Sequence, residues 1–384
     1  MKNSKAVTLR SLITGIALIP VNLYWLMKAE VVWVSVYSTV LSLFFNVVFC
    51  IFVLALLNIL LRRYLPSFAM NRGELLTIYI ILSIATGIFG HDFIRILFHT
   101  MGAAHWFATP ENEWAALFFR YLPKWLVIEN ESALRAYYEG DSTLYIANNF
   151  RAWLFPSLAW SSLILVAIFV MVCINTIIRK QWTENEKLTY PIIQLPLEMT
   201  EVGFFKNKLF WLSFGITATV DLLNGLNYIY PVIPSLRLRS NIGTLFTEKP
   251  FSAIGWTPLC FYPFVAGLSY FMPSDLSFSC WFFYIFWKIQ LIFRTVFGFS
   301  PMPGPYLSYQ SSGAWLGIGM LSLWMSRRYL MGVLKRVVGY KESIDDSREP
   351  MRYRTAVLGI IASIVFIVLF CYYAGMSVEV TVLL

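Results

Sequence analysis

Charge is what this 384-residue chain has little of: only 13% of its residues are Asp, Glu, Lys or Arg, about half the share in a soluble domain. Histidine is scarcer still, with His91, His99 and His105 the only three. None of these is spaced as HxxxH or HExxH, so no zinc site is expected. Five cysteines fall singly, without a CxxC pair, which argues against both a disulfide framework and a zinc knot. GxSxG and Walker-type glycine loops are also missing, so neither a familiar intramembrane protease nor an ATP-driven pump is indicated, and no enzyme activity or cofactor is expected.

What fills the chain instead is apolar. Hydrophobic residues make up 58%, and runs such as Thr355–Met376 carry no charge over a length that has no soluble use. The fold class read from this pattern is all-α, a polytopic transmembrane helical bundle forming a single transmembrane domain over residues 1–384. About nine spans are predicted, at roughly 11–27, 39–61, 74–98, 152–178, 209–231, 255–272, 276–298, 311–326 and 355–376. Met1–Arg10 is a short basic tail, and with no small-residue cleavage site after it the first span is read as uncleaved.

The net charge of +9 does not point to nucleic acid, because the basic residues sit at span ends rather than along one face. More than half of them gather on alternate loops, around Lys2–Arg10, Arg62–Arg72, Arg179–Lys208 and Arg327–Arg354. The positive-inside rule then puts the N-terminus in the cytoplasm and the C-terminus outside. The connector 327–354 reads as a solvated charge run, partly helical, that only fixes this topology.

The largest outer loop, about Gly102–Arg151, holds eleven aromatic residues, from Trp106 to Phe150. Rings at that density suit the headgroup layer or a packed cap. Glu131–Glu139 reads as a short surface helix within it, closed by a turn at Glu139-Gly140-Asp141.

Several places could carry chemistry. Residues 188–199 are apolar but too short to span, and Pro191 and Pro196 interrupt them. Two readings fit: a re-entrant helix starting at Pro191, with Gln194 and Glu198 facing a cavity beside Tyr190, or an amphipathic connector on the inner leaflet. At the end of the third span, Gly87 and Gly90 precede His91, Asp92 and Arg95. Asp92 and Arg95 form either a local i,i+3 pair or part of an ion pathway with His91. Asp221, Asn224 and Asn227 recur every three residues and give one polar stripe. There Asp221 is a candidate for cation or proton coupling and Asn224 for substrate binding, unless the stripe only bonds to a neighbour such as Lys288 or Arg294. Asn22, Asn46, Asn58 and Asn175 read as helix–helix glue. The segment 299–306, with three prolines, reads either as an outer loop or as a re-entrant break.

The stretch Glu186-Lys187-Leu188-Thr189-Tyr190-Pro191 resembles the Lys-Leu-Thr-Tyr-Pro segment of the metal-chelate members of the oligopeptide transporter superfamily. Further stretches resemble a family of large uncharacterised bacterial membrane proteins related to that superfamily. They are Ile19-Pro20-Val21-Asn22-Leu23-Tyr24-Trp25, Ser42-Leu43-Phe44-Phe45-Asn46, Gly90-His91-Asp92, Phe107–Trp114 and Tyr190–Thr200. The resemblance covers the first half and thins after Pro231. It implies an ion-gradient-driven transporter of a small peptide or similar organic solute, with a proton or cation as second partner. Members are longer, so it also implies a shortened form or one part of a split transporter in the inner membrane of a bacterium, with a second subunit or a homo-oligomer as a further candidate partner. Where the metal-chelate transporters follow Tyr-Pro with a Ser/Thr-Gly run, this chain has Ile192-Ile193-Gln194-Leu195-Pro196, a departure that bears on substrate. The other class consistent with the residues is a non-transporting membrane subunit whose aromatic outer loop packs on a partner.

Overall fold

The structure is a computed structural model. It describes residues 7–33, 37–40, 43–90, 93–188, 190–201, 203–298, 306–340 and 344–383. The helices in chain order are α1 (Leu9–Leu26), α2 (Phe45–Tyr64), α3 (Arg72–Phe89), α4 (Ile94–Trp106), α5 (Trp114–Leu117), α6 (Glu131–Tyr138) and α7 (Ala147–Lys180). They continue with α8 (Pro191–Met199), α9 (Lys208–Ile229), α10 (Pro263–Tyr270), α11 (Ser274–Val296), α12 (Tyr306–Met325), α13 (Arg327–Val338), α14 (Tyr353–Tyr373) and α15 (Val378–Leu383). A three-residue pair, β1 (Arg239–Asn241) and β2 (Pro258–Cys260), runs antiparallel with Arg239 opposite Cys260.

Among the described residues seven stretches are long and apolar enough to cross a bilayer: Leu9–Val32, Phe45–Tyr64, Arg72–Trp106, Ala147–Asn185, Lys208–Ile229, Ser274–Val296 and Tyr353–Tyr373. Each coincides with a predicted span. The chain is an all-α polytopic membrane protein, and lipid is the medium for these helices. None of α9 is buried, and on α11 only Lys288 is; a helix that offers so much apolar surface needs hydrocarbon beside it or a partner.

Two predicted spans differ. Residues 311–326 do form a helix, α12, but its Ser, Gln and Gly residues keep it outside the seven. Residues 255–272 are not one helix. Gly255 sits at φ 55°, Pro258 lies in β2, and Pro263 opens α10, which has only 8 residues. Proline lacks the N–H that would continue a helix, and eight residues reach about 12 Å, well short of a bilayer.

The described residues fall into two compact units, Met1–His91 with Thr189–Ser308, and Asp92–Leu188 with Tyr309–Leu384. In the first, α1, α2 and α3 pack around Val47, Ile51, Ile78 and Leu82. Side chains that satisfy the leading N–H groups start two of these helices: Thr8 and Asn71 each accept from the backbone three residues on, at Ser11 and Glu74. The Glu74 carboxylate is buried and also accepts from Thr8 Oγ1 at 2.6 Å and Arg10 Nη2 at 2.6 Å. Arg10, read from sequence as an orientation charge, thus also ties the start of α1 to the start of α3.

In the second unit the long α7 packs along α14, and the loop before α7 forms a cap rather than a loose headgroup layer. Met101, Ile128, Ala133, Leu134 and Trp153 are its buried centre. Trp106 stacks on Tyr138 at 5.1 Å, and Trp160 Nε1 donates to Leu126 O at 3.0 Å. Burial, with Tyr137 beside it, pushes the Tyr138 hydroxyl up to about 12. The expected surface helix is α6, capped by Asn130, and Gly140 and Asp141 form the turn with positive φ.

The connector 327–354 departs most from expectation. It is packed, not merely solvated: Tyr329, Val333 and Tyr353 are buried with Cys173, Ile177 and Ala356. Tyr329 Oη donates to Ile177 O at 2.9 Å. Arg336 holds buried Asp346 at 3.0 Å, and Arg179 holds buried Glu349 at 2.8 Å. Its charges are attached to particular partners because an apolar stripe on α13 has to be covered.

Candidate functional site

The short helix α8 starts as its residues dictate. Tyr190 (φ −118°, ψ 74°) lies outside the α region, which the residue before a proline avoids. Pro191 then occupies the first helical position, where its missing N–H costs nothing. Nine residues cannot span, so this is a helical break among the spans. Pro196 and Met199 are buried, on the face that packs against α2 and α3. Arg72 of α3 pairs with Glu201 just beyond the helix. Thr200 Oγ1 returns to Leu197 O at 2.7 Å.

The other face of α8 is open. Pro191, Gln194 and Glu198 line a cavity of about 470 Å³ whose far wall is α10, with Phe264, Leu268 and Phe271. Gln194 and Glu198 are four residues apart and therefore share one face of the helix. Such a volume falls in the range of small-molecule sites. The lining is apolar with one amide and one carboxylate, able to accept hydrogen bonds from an amine or peptide N–H and, through Gln194, to donate one.

The structure does not gather every predicted residue there. Tyr190 precedes the helix, and its carbonyl accepts from Ile193 N at 3.3 Å; its ring does not line the cavity. Asn224 is engaged elsewhere: its Nδ2 donates to Leu236 O at 3.1 Å and its Oδ1 accepts from Leu236 N at 2.7 Å. Asn227 Nδ2 donates to Ile233 O at 2.6 Å. These amides replace the backbone partners that the loop after α9 lacks. Asp221 is exposed on α9 and has no hydrogen bond or ion pair among the described residues. His91 and Asp92 lie outside the described residues, as does the proline-rich segment 299–305.

Lys288, considered from sequence as a partner for Asp221, points elsewhere. It is 8% exposed. Its Nζ donates to Ile254 O at 2.9 Å and Trp256 O at 2.7 Å, and it lies 4.4 Å from the Trp287 ring centroid. It fastens the 3₁₀ turn Phe251–Ile254 to α11.

Two polar nodes lie inside the first unit. Asn46 Nδ2 donates to Asn22 Oδ1 at 2.9 Å and Asn22 Nδ2 to Thr86 Oγ1 at 2.8 Å, joining α2, α1 and α3. Asn22 and Asn46 thus act as the glue expected of them, although Asn46 Oδ1 is buried without a partner among the described residues; Asn58 instead holds the Met70 backbone, and Asn175 is exposed with no hydrogen bond among the described residues. The second node was not singled out from sequence. Glu30, in the π-helical turn Met27–Val32 that ends the first span, is 3% exposed. Ser38 Oγ donates to its Oε1 at 2.7 Å, Thr39 N to the same oxygen at 2.8 Å and Thr39 Oγ1 to Oε2 at 3.1 Å. The sequence signal was slight, a lone acid where the first span gives way to loop.

Comparison with known proteins returned no match among curated proteins and none among solved structures. One family model does match, and it runs over residues 1–384 without remainder. The chain therefore belongs to the family of unknown function DUF6785.

Proposed function

We propose that the chain is a secondary transporter, driven by an ion gradient, that moves a small peptide or similar organic solute across the bacterial inner membrane. The observation that carries this reading is the cavity of about 470 Å³ between two helices too short to span, α8 and α10. Transport sites are built at such breaks, because half-helix ends and interrupted backbone offer oriented polar groups where full spans have none. Gln194 and Glu198 supply the polar contacts, and Phe264 and Phe271 supply an apolar wall. The Tyr190-Pro191 opening of α8 is where the resemblance to the oligopeptide transporter superfamily lies. In this reading the N-terminus is cytoplasmic, the C-terminus is outside, and Asp221, His91 and Asp92 are candidates for the coupling path.

The test is uptake of a radiolabelled dipeptide mixture into proteoliposomes under an imposed proton or sodium gradient. Glu198→Gln is expected to cut the initial rate at least tenfold, and Asp221→Asn to uncouple uptake from the gradient. Gradient-driven flux unchanged in both variants would remove the assignment. A wild-type protein that moves none of these solutes but holds a stoichiometric protein partner would point instead to a non-transporting subunit.

A further inference from the structure

Glu30 is a buried carboxylate that accepts three hydrogen bonds, all from neutral donors. The other deeply buried glutamate of this unit, Glu74, shows the contrast: Arg10 covers it at 2.6 Å. No lysine, arginine or histidine pairs with Glu30 among the described residues. A carboxylate buried at the end of a span without a basic partner is placed to take a small cation.

The charged and titratable groups around it leave that task open. On its own turn Lys28 is directed at the Tyr24 ring, 5.7 Å from the centroid. Tyr37, next to the Ser38–Val40 turn, is exposed. On α1, Arg10 is committed to Glu74, twenty residues and about 30 Å of helix away. On α2, Cys50 reaches only Asn22 Oδ1, at 3.9 Å. At the end of α3, Gly90 abuts Thr39: a Cβ there would stand 3.5 Å from Thr39 Oγ1. His91 and Asp92 follow Gly90 outside the described residues.

We propose that Glu30, Ser38 and Thr39 form a binding site for a monovalent cation, Na⁺ or H⁺. Four oxygens converge there, two from the carboxylate and two from hydroxyls, and oxygen-only sets suit hard cations. Hydroxyls are both donors and acceptors. They can therefore turn to face a bound Na⁺, or accept from the protonated carboxyl, without leaving a buried group unpaired. The turn around Glu30 is π-helical, a local form that recurs at functional sites. The site rests on the transport reading only for its consequence, that occupancy of Glu30 couples the gradient to movement of solute; binding stands without it.

The test is thermal unfolding of the detergent-solubilised protein. One series replaces choline chloride with NaCl at fixed pH; the other lowers the pH at fixed choline chloride. A ligand that binds only the folded state raises the transition temperature with its concentration. The wild type is expected to gain at least about 2 °C relative to Glu30→Gln in one series, which identifies the cation. Parallel responses of wild type and Glu30→Gln in both series would overturn the proposal. Should Glu30→Gln fail to fold, Ser38→Ala and Thr39→Val are expected to shift the midpoint of the response at least threefold, and an unshifted midpoint in both would overturn it equally. Uptake without a cation response removes this site and leaves the transporter reading, whereas a cation response without uptake does the reverse.

Discussion

Arg179 and Glu349 stand 170 residues apart in the chain and share two hydrogen bonds, Nε to Oε2 at 2.8 Å and Nη2 to Oε1 at 3.1 Å. The glutamate side chain is 2% exposed while the arginine is 45% exposed. Their fork closes the end of α7 over the segment that leads into α14. Arg179→Ala would strand a buried carboxylate. A loss of about 1–3 kcal/mol is expected, less than for a fully buried pair because the guanidinium reaches water. Thermal unfolding in detergent measures it, and Glu349→Gln, which keeps hydrogen-bonding capacity, is expected to cost less.

The same segment should give unit two an acid sensitivity. Burial by itself would raise Asp346, but the Tyr353 N–H and the Arg336 guanidinium outweigh it and hold the carboxyl below its ordinary value. Folded-state affinity for protons is then lower than in the unfolded chain. The stabilisation is complete above the ordinary aspartate value, about 3.9, and is lost as pH falls through the lower folded value. Asp346→Asn is expected to be less stable at neutral pH and to lose this part of the acid dependence. A mutant profile that keeps the wild-type slope below pH ~4 would contradict the assignment.

Close approach of α7 and α14 depends on Gly359. A Cβ built there would meet Phe169 Cε1 at 2.9 Å and Cys173 Sγ at 3.0 Å. Small residues let membrane helices approach in this way. Gly359→Val is expected to overpack the contact and cost about 1–3 kcal/mol, while Gly359→Ala costs less. A double variant with Phe169→Leu is expected to recover part of the loss, read as non-additivity in the unfolding temperatures.

Lys288→Met is expected to loosen the turn Phe251–Ile254. The substitution keeps the stem but leaves the Ile254 and Trp256 carbonyls without their donor, at about 1–3 kcal/mol. Limited proteolysis around residues 248–258 should become faster while the rest of the pattern is unchanged.

Seven helices were legible because an apolar run of about twenty residues with few charges has one stable conformation in lipid. The break at α8 was legible for the opposite reason, since Pro191 and Pro196 interrupt a run too short to span. Residues 255–272 misled because composition counts apolar residues, whereas Gly255, Pro258 and Pro263 decide whether the backbone can stay helical. The connector 327–354 misled because its buried pair, Tyr329 Oη and Tyr353 Oη at 2.8 Å, joins residues that no local pattern links. Of the candidate site, Pro191, Gln194 and Glu198 could be named from the chain; Phe264, Leu268 and Phe271 could not, being assigned to a span.

Composition alone settled the solvent of this protein and, with it, the helical class: a chain so poor in charge satisfies its backbone within lipid only by coiling on itself. Where each polar group ended up was decided by packing. Glu30 meets Ser38 and Thr39, Asn224 holds Leu236, and Lys288 caps the carbonyls near Trp256, because a buried polar atom takes whichever partner the converging backbone brings within about 3 Å. Spacing along one helix cannot report the approach of another.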